Sequence, residues 1–267
     1  MQSLFITSLP RSFTTAVYRY SVKALRLKEP TWTTDGEILN ARHLVLASNE
    51  LTNEPRFTTF AKEPQIFERL KSFAVEAVNP NGYAYKDVIQ PFVATEAIKD
   101  LDVTVLRIRR PLADVAVAMT EHSWFYPQSA AEKFHSERGF IEGLLRAANA
   151  IHNLEKFLPK IETLDYDDLI FDDKSLNLAL KRLYSNVELN ALSYIDGSFR
   201  RKRELVLERR QTEQYKKTVD LINQVADEIG ITPPLGWASI SSKKKVSKVV
   251  LEKKLVSKSH KIGRAHV

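Results

Sequence analysis

Short runs of strand-forming residues alternate along this chain with longer segments whose apolar residues recur at helical spacing. Four such runs predict β-strands: Leu4–Thr7, Tyr83–Val88, Val103–Ile108 and Ile161–Tyr166. A chain that alternates strands and helices in this way builds a parallel sheet with helices on both faces. The fold class that we predict is therefore α/β, a three-layer sandwich around a parallel β-sheet.

The helical segments are marked by apolar periodicity and by proline or glycine near their ends. In the first helix, apolar residues recur at alternating spacings of four and three and define one buried face: Phe13, Val17, Tyr20, Ala24 and Leu27. Ser12 is the predicted N-cap of this helix. The predicted helices cover residues 12–28, 36–40, 65–78, 91–99, 111–121, 130–157, 175–184 and 194–229.

The carboxyl ends of parallel strands meet at one edge of a sheet, and ligands bind in the crevice outside that edge. Four segments follow the predicted strands: Ser8–Thr15, Asp87–Gln90, Arg109–Pro111 and Tyr166–Asp168. These segments are far apart in sequence, and we expect them to share one location at the sheet edge.

The segment Thr7–Ala16 has the pattern of a strand, a tight loop and a helix start, which suits an anion. Free backbone N–H groups and the positive end of the helix dipole both face such a ligand. Arg11 adds a positive charge, and Thr14 and Thr15 add hydroxyl donors. The loop lacks the spacing of a Walker A motif, which argues against ATP or GTP hydrolysis. An ordinary strand-to-helix turn is the structural alternative.

The same loop resembles the first signature of the sulfotransferases that use 3′-phosphoadenosine 5′-phosphosulfate (PAPS). That signature is Pro-Lys/Arg-Ser-Gly-Thr-Thr after a strand, and five of its six positions match here. Phe13 stands where the family has glycine. The resemblance implies a P-loop-like nucleotide-binding fold in which the 5′-phosphosulfate is held chiefly by Arg11, Thr14 and Thr15. The donor-binding loop would comprise Pro10, Arg11, Ser12, Phe13, Thr14 and Thr15.

A second signature of this family is a strand followed by Arg-x-Pro, which grips the 3′-phosphate of PAPS. The stretch that ends in Arg109-Arg110-Pro111 resembles it, so Arg109 or Arg110 would bind that phosphate. The family's serine in the next helix is absent, because Val117 and Ala118 stand there. A surface cluster of arginines at a strand end is the alternative.

Two further matches lie later in the chain. Leu164–Leu169 resembles the family's Tyr-Glu-Asp-Leu, which implies that Tyr166 lies near the adenine; a buried structural tyrosine is the alternative. Gly197–Arg203 resembles the C-terminal Arg-Lys-Gly element, which implies that Arg200 and Arg201 contact the 3′-phosphate. The alternative for these two arginines is a solvated helix face.

Sulfuryl transfer needs cations where negative charge grows on the leaving phosphate oxygen, and a base for the attacking hydroxyl. Arg11 and Lys86 are the predicted cations; Lys86 matches the lysine of the family's Lys-x-His motif, and Val88 replaces its histidine. Glu37 is the predicted general base, since some carbohydrate sulfotransferases place a glutamate shortly after the loop helix. Asp87 is the second candidate, and a capping or solvated Glu37 is the structural alternative.

Aromatic side chains suit an acceptor pocket, because sugar rings and phenols stack on them. Trp32, Trp124 and Tyr126 are the candidates, with core packing as the alternative. The four histidines of the body show no metal-ligand spacing, and we expect no metal: His43, His122, His135 and His152.

Cysteine is absent, which excludes a disulfide framework and a thiol nucleophile. No apolar run approaches the length of a membrane span, and residues 1–7 do not resemble a signal peptide, so we expect a cytoplasmic location. Nine of the 40 Lys and Arg residues, but one of the 33 acids, lie from Ser241 onward. The net charge of +7 is therefore concentrated in the C-terminal tail, while the body is close to neutral.

We predict a sulfotransferase-like domain over residues 1–236 and a basic, disordered tail over 237–267. Residues 261–267 can be read as the translation of a sequencing adapter and are excluded from fold reasoning. The predicted activity is PAPS-dependent transfer of a sulfuryl group to a hydroxyl of a small-molecule or carbohydrate acceptor. The alternatives are an inactive nucleotide-binding P-loop protein and a P-loop kinase relative. Nucleic acid is expected only as a weak partner of the tail.

Overall fold

The computed structural model describes residues 1–47, 56–126, 136–172, 174–186, 197–234 and 236–238. Its sheet has four strands: β1 (Leu4–Thr7), β2 (Ala84–Asp87), β3 (Thr104–Arg109) and β4 (Ile161–Asp165). The strands lie in the order β2-β1-β3-β4, and every neighbouring pair is parallel. The predicted α/β fold with a parallel sheet flanked by helices is confirmed.

The helices within the described residues alternate with the strands. They are α1 (Thr14–Leu25), α2 (Ala41–Ala47), α3 (Pro64–Ala77), α4 (Pro91–Lys99), α5 (Leu112–Thr120), α6 (Glu137–Asn153), α7 (Tyr166–Phe171), α8 (Ser175–Leu183), α9 (Gly197–Arg209) and α10 (Glu213–Ile229). A 3₁₀ turn, Leu154–Lys156, follows α6.

The alternation of side chains along the strands explains the layers. Leu4 and Ile6 of β1 belong to a buried cluster with α1 and α8, whereas Phe5 belongs to the opposite cluster with α3 and α4. Helices α5, α6 and α10 form a third buried cluster. All four residues of β1 are buried, because this strand is covered on both faces.

The strand register brings the ends of the strands into line. Thr7 of β1 pairs with Asp87 at the end of β2 and with Arg107 in β3, while Arg109 pairs with Asp165 at the end of β4. The Ser8 hydroxyl donates to the Ile108 carbonyl at 2.8 Å, which attaches the start of the loop after β1 to β3. The expectation that the segments after the strands share one edge is confirmed.

The predicted short helix over 36–40 is wrong. Gly36 has a left-handed φ of 68°, which ends helical geometry there. Glu37 instead forms a parallel bridge with Lys86: the Lys86 N–H donates to Gly36, and the Ile38 N–H donates to Lys86. Because this segment pairs with the edge of β2, the helix begins only at Ala41.

Three other predicted boundaries are wrong. The helix predicted over 130–157 begins at Glu137. The Ser136 hydroxyl caps it by accepting from the Gly139 N–H. Residues 130–135 lie outside the described part. The helix over 194–229 is two helices, since Thr212 caps α10; residues 194–196 lie outside the described part. Tyr166 begins α7 instead of ending β4.

The core reaches the C-terminal limit of the described residues. Trp237 is fully buried, and its carbonyl accepts from the Leu112 N–H at 2.9 Å. This residue lies just past the boundary that we predicted after Gly236. Residues 239–267 are outside the described part, so the division into domain and tail remains a prediction. Among the described helices, none has the length and apolar character to cross a bilayer.

Candidate functional site

A cavity of about 790 Å³ lies at the carboxyl edge of the sheet. Its volume is in the range typical of small-molecule sites. Ten of the predicted site residues line it: Pro10, Arg11, Ser12, Phe13, Thr14, Thr15, Glu37, Lys86, Arg110 and Tyr166. Of its described lining side chains, Glu37 is the single carboxylate and seven are cationic: Arg11, Arg19, Arg56, Lys86, Arg110, Lys202 and Arg209.

The cavity lining falls into two groups of residues, named here the β2 end and the β4 end, and the loop 10–16 contacts both. The β2 end is formed by Glu37, Asn40, Arg56, Lys86 and Trp124. The β4 end is formed by Arg110, Tyr166, Lys202 and Arg209. This division follows the strand order, because β2 and β4 are the outer strands of the described sheet.

The loop after β1 delivers the N-terminus of α1 to the cavity. The N-cap is Phe13, so the predicted Ser12 cap is wrong; the Ser12 hydroxyl contacts the Pro10 carbonyl at 3.5 Å instead. The Phe13 side chain does not cap α1, so it leaves the first-turn N–H groups to other acceptors. Thr14 and Thr15 belong to that turn and line the cavity. A helix start of this kind attracts an anion.

Phe13 adopts a backbone conformation that favours glycine. Its φ is 62° and its ψ is 15°, in the left-handed region, where an ordinary residue costs about 1–2 kcal/mol. The Phe13 ring stacks on Tyr166 with centroids 5.5 Å apart, and the Lys202 ammonium lies 4.4 Å from the Phe13 ring. These contacts hold the strained residue in place and explain how phenylalanine occupies the glycine position of the resembled motif.

Arg110 is a buried cation without a carboxylate partner among the described residues. It is 3% exposed, and its guanidinium donates to the Arg11 carbonyl and lies 4.4 Å from the Tyr166 ring centroid. Its Nε has no hydrogen-bond partner in the described part of the chain. Burial removes water from the guanidinium and so lowers the pKa of Arg110.

Arg109, the alternative to Arg110 for the same role, lies outside the cavity lining. Its Nε and Nη2 donate to the two carboxylate oxygens of Asp165 at 2.9 and 3.0 Å. A Cβ added to Gly236 would lie 2.8 Å from Arg109 Nε, so the C-terminal segment passes close to this pair. The guanidinium that faces the cavity is therefore that of Arg110.

Lys86, Glu37 and Thr15 form the polar cluster of the β2 end. Lys86 Nζ lies 3.1 Å from Thr15 Oγ1 and 3.6 Å from a carboxylate oxygen of Glu37. The Lys86 and Glu37 side chains are 4% and 14% exposed. This arrangement places a cation and a possible base side by side, next to the loop that can hold an anion.

Asp87 lies behind this cluster and does not line the cavity. It is fully buried, and one carboxylate oxygen accepts from the Gln90 N–H at 2.8 Å while the other has no partner among the described residues. Burial, together with the negative charge of Glu37, raises the pKa of Asp87 to about 7. The Leu39 N–H also interacts with this carboxylate, so Asp87 holds the segment that carries Glu37.

Aromatic and cationic side chains meet at the mouth of the β2 end. The guanidinium of Arg11 lies 5.6 Å from the Trp124 ring centroid and contacts the His122 imidazole at 2.8 Å. Arg56 lies 5.8 Å from the Trp124 ring and 5.1 Å from the Tyr126 ring. Of the predicted acceptor aromatics, Trp124 lines the cavity and Tyr126 packs beside it.

The remaining predicted residues are elsewhere. Trp32 packs edge-on against Phe73 in the cluster around α3 and α4. The side chains of Arg200 and Arg201 lie outside the described part, although the backbone of both belongs to α9.

Sequence reasoning missed the face of α9 that covers the β4 end. Its members follow the spacing of one helical face: Lys202, Leu205, Val206 and Arg209. This spacing predicts one helical face, but a run rich in arginine and lysine is equally typical of a solvated face. Arg19, Asn40 and Arg56 were also missed, since no motif precedes them.

In the described part of the chain, no three His, Asp or Glu side chains are grouped to hold a metal ion. No model of a known protein family matches the chain, and no curated protein matches it in sequence. A solved structure of a sulfotransferase from Alicyclobacillus acidocaldarius is similar, with a TM-score of 0.41 and 13% identity. The match covers 87% of this chain and 97% of that one. The likeness is distant, and we draw no conclusion about function from it.

Proposed function

We propose that this protein transfers a sulfuryl group from PAPS to the hydroxyl of a small-molecule or carbohydrate acceptor. The observation that carries the proposal is the burial of Arg110 in a cavity whose described lining has seven cationic side chains and one carboxylate. A buried guanidinium without a carboxylate partner in the described residues is costly unless an anion satisfies it. A nucleotide with phosphate groups at both ends is a ligand that such a cavity can hold.

Two separate anion sites support a donor with charge at two positions. The start of α1, with Thr14, Thr15 and Lys86, suits the 5′-phosphosulfate. Arg110 suits the 3′-phosphate, since a guanidinium can donate two hydrogen bonds to one phosphate. Tyr166 and Phe13 supply the apolar surface between these sites. ATP lacks the 3′-phosphate and would leave Arg110 unsatisfied.

The reaction that we propose is an in-line displacement at sulfur. The acceptor oxygen forms a bond to sulfur, and the bond between sulfur and the bridging phosphate oxygen breaks. The electron pair of that bond stays on the phosphate, which leaves as adenosine 3′,5′-bisphosphate. Lys86 donates to the oxygen on which charge grows, and the helix start stabilises the same charge.

Glu37 takes the proton of the acceptor hydroxyl in this scheme. It lines the cavity 3.6 Å from Lys86, whereas Asp87 is fully buried behind the cluster. Burial raises the pKa of Asp87 to about 7, but this carboxyl does not line the cavity and cannot contact a hydroxyl bound there. Asp87 is therefore proposed to position the segment of Glu37 and not to act as the base.

Isothermal titration with adenosine 3′,5′-bisphosphate, and with ATP in the presence of magnesium, tests the donor site. We expect the bisphosphate to bind at least about tenfold more tightly, because only it offers Arg110 a phosphate. Incubation with ³⁵S-labelled PAPS and a panel of phenols and sugars then tests transfer. Equal affinity for ATP and the bisphosphate would contradict the assignment of Arg110, and binding without transfer to any acceptor would indicate a nucleotide-binding protein.

A further inference from the structure

Arg56 is a cation at the β2 end of the cavity that has no role in the proposed donor site and no ion-pair partner among the described residues. Arg19 is paired with Asp35 at 2.6 Å, and Lys86 is paired with Glu37. Arg56 lines the same end, but no carboxylate lies within ion-pair distance of it among the described residues. Its hydrogen bond goes to a neutral acceptor, the Tyr126 hydroxyl, at 2.7 Å.

The aromatic rings fix the position of this cation. Arg56 lies against the rings of both Trp124 and Tyr126, and the two rings are 6.0 Å apart. Phe57 packs on Tyr126, and its N–H donates to the Ile89 carbonyl after β2, which anchors the segment next to Arg56. A guanidinium that is stacked on rings keeps free donors in its plane, so it can still bind an anion.

Arg56 and Glu37 both line the β2 end of the cavity. Burial raises the pKa of Tyr126, the charge of Glu37 acts in the same direction, and the charges of Arg56 and Arg11 oppose it. Arg11, Arg56 and Glu37 all line the cavity, so an acceptor bound at this end lies in the field of all three.

We propose that the acceptor carries an anionic group, a carboxylate, sulfate or phosphate ester, in addition to the hydroxyl that is modified. Arg56 binds this anionic group while the hydroxyl lies at Glu37. The inference rests on the proposed function, since it assigns the acceptor of that reaction. A neutral acceptor would fill the same space but would offer the charge of Arg56 no counterion.

Matched pairs of probes test this charge preference without requiring turnover. The probes are 4-hydroxybenzoate, 4-hydroxyphenylacetate and glucuronate, each compared with its neutral amide. Their affinities are measured by isothermal titration on the protein saturated with adenosine 3′,5′-bisphosphate, so that the donor site is already filled. We expect the carboxylate to bind about tenfold or more tightly than its amide in at least one pair, as a charge-assisted hydrogen bond requires.

Two variants assign the preference to its residue. Arg56→Gln should abolish the advantage of the carboxylate while it leaves the affinity for the bisphosphate unchanged. Arg182→Gln is the control, because Arg182 is an exposed arginine on α8 that is paired with Glu162 at 2.7 Å. No preference in any pair, including the absence of binding, overturns the inference, as does a preference that persists in Arg56→Gln. Failure of the bisphosphate to bind wild-type protein would instead contradict the proposed function.

Discussion

The buried cations at the two ends of the cavity differ in whether they have a carboxylate partner. At the β4 end, Arg110 is buried and has no carboxylate partner among the described residues. At the β2 end, Lys86 is just as deeply buried but lies 3.6 Å from Glu37. An unpaired buried cation favours an incoming anion, whereas a paired cation and carboxylate can exchange partners when a ligand arrives. The first arrangement suits binding and the second suits chemistry.

The largest expected effect is at the β2 end. Glu37→Gln removes the proposed base while it keeps the shape of the side chain, so the transfer rate should fall about 10²–10⁴-fold. The affinity for adenosine 3′,5′-bisphosphate should stay unchanged, because Arg110 and the helix start are intact. Initial rates with labelled PAPS and titration with the bisphosphate measure the two quantities.

Glu162→Gln is the control for that experiment, since Glu162 is paired with Arg182 away from the cavity lining. This variant should retain wild-type rates. Wild-type turnover by Glu37→Gln would remove Glu37 from the mechanism. A parallel loss of bisphosphate affinity would show that the two ends are not separable.

The next largest effect is expected at the β4 end, where it distinguishes Arg110 from the adjacent Arg109. Arg110→Met should weaken binding of the bisphosphate about 10–100-fold, the contribution of hydrogen bonds to a charged group. The same substitution should raise the free energy of unfolding of the ligand-free protein, because an apolar side chain replaces an unpaired buried charge. Titration calorimetry and urea unfolding measure these opposite changes.

Arg109→Met is the matched control. Arg109 is paired with Asp165 outside the cavity lining, so bisphosphate affinity should remain at the wild-type level. Stability should fall by less than about 1 kcal/mol, since the Asp165 carboxylate is partly exposed. If Arg109→Met and Arg110→Met weaken binding equally, the assignment of the 3′-phosphate to Arg110 is wrong.

Asp87 predicts a pH dependence of stability. Its pKa is raised from 3.8 to about 7, so the folded state holds a proton that the unfolded state releases. The stabilisation by that proton is complete below pH 3.8 and is lost as the pH rises through about 7. Between pH 5 and pH 8 the free energy of unfolding should fall by about 2–3 kcal/mol more in wild type than in a variant without this group.

Asp87→Asn is that variant, and it keeps an oxygen that can accept from the Gln90 N–H. Urea unfolding of both proteins across this pH range measures the difference, and the other titrating groups cancel in it. Parallel curves for wild type and Asp87→Asn would show that Asp87 titrates at its ordinary pKa.

Much of the β4 end was predictable because its residues follow strand ends. Tyr166 and Arg110 each come directly after a strand, and in a parallel sheet such positions converge. The same rule found the loop after β1, whereas Lys86 was predicted from its match to the lysine of the resembled family. The choice between Arg109 and Arg110 was not predictable, since it depends on Asp165 of the neighbouring strand, which pairs with one arginine and leaves the other to the cavity.

The β2 end was harder to predict. Glu37 was named from a resemblance, but the segment around it was predicted as a helix and instead pairs with the edge of β2. Edge pairing joins residues about 50 positions apart and leaves no periodic signal within the segment. No sequence motif marks Arg56, so its contact with Trp124 and Tyr126 is a purely tertiary feature.

The smallest expected effect concerns Phe13 in the loop 10–16, which contacts both ends of the cavity. Phe13 has a φ of 62°, a conformation that costs about 1–2 kcal/mol for any residue with a Cβ. Phe13→Ala and Phe13→Gly both remove the ring that stacks on Tyr166, but only glycine also removes the conformational penalty. Phe13→Gly should therefore be about 1 kcal/mol more stable than Phe13→Ala, as urea unfolding can measure.

The comparison between these two variants isolates backbone strain, because the loss of stacking is common to both. Glycine also gains freedom in the unfolded chain, which lowers its stability relative to alanine by up to about 1 kcal/mol, so the net difference is a lower limit on the strain. If Phe13→Ala is the more stable variant, strain at this position is smaller than that entropy. The aromatic ring would then be kept for its contacts with Tyr166 and Lys202 alone.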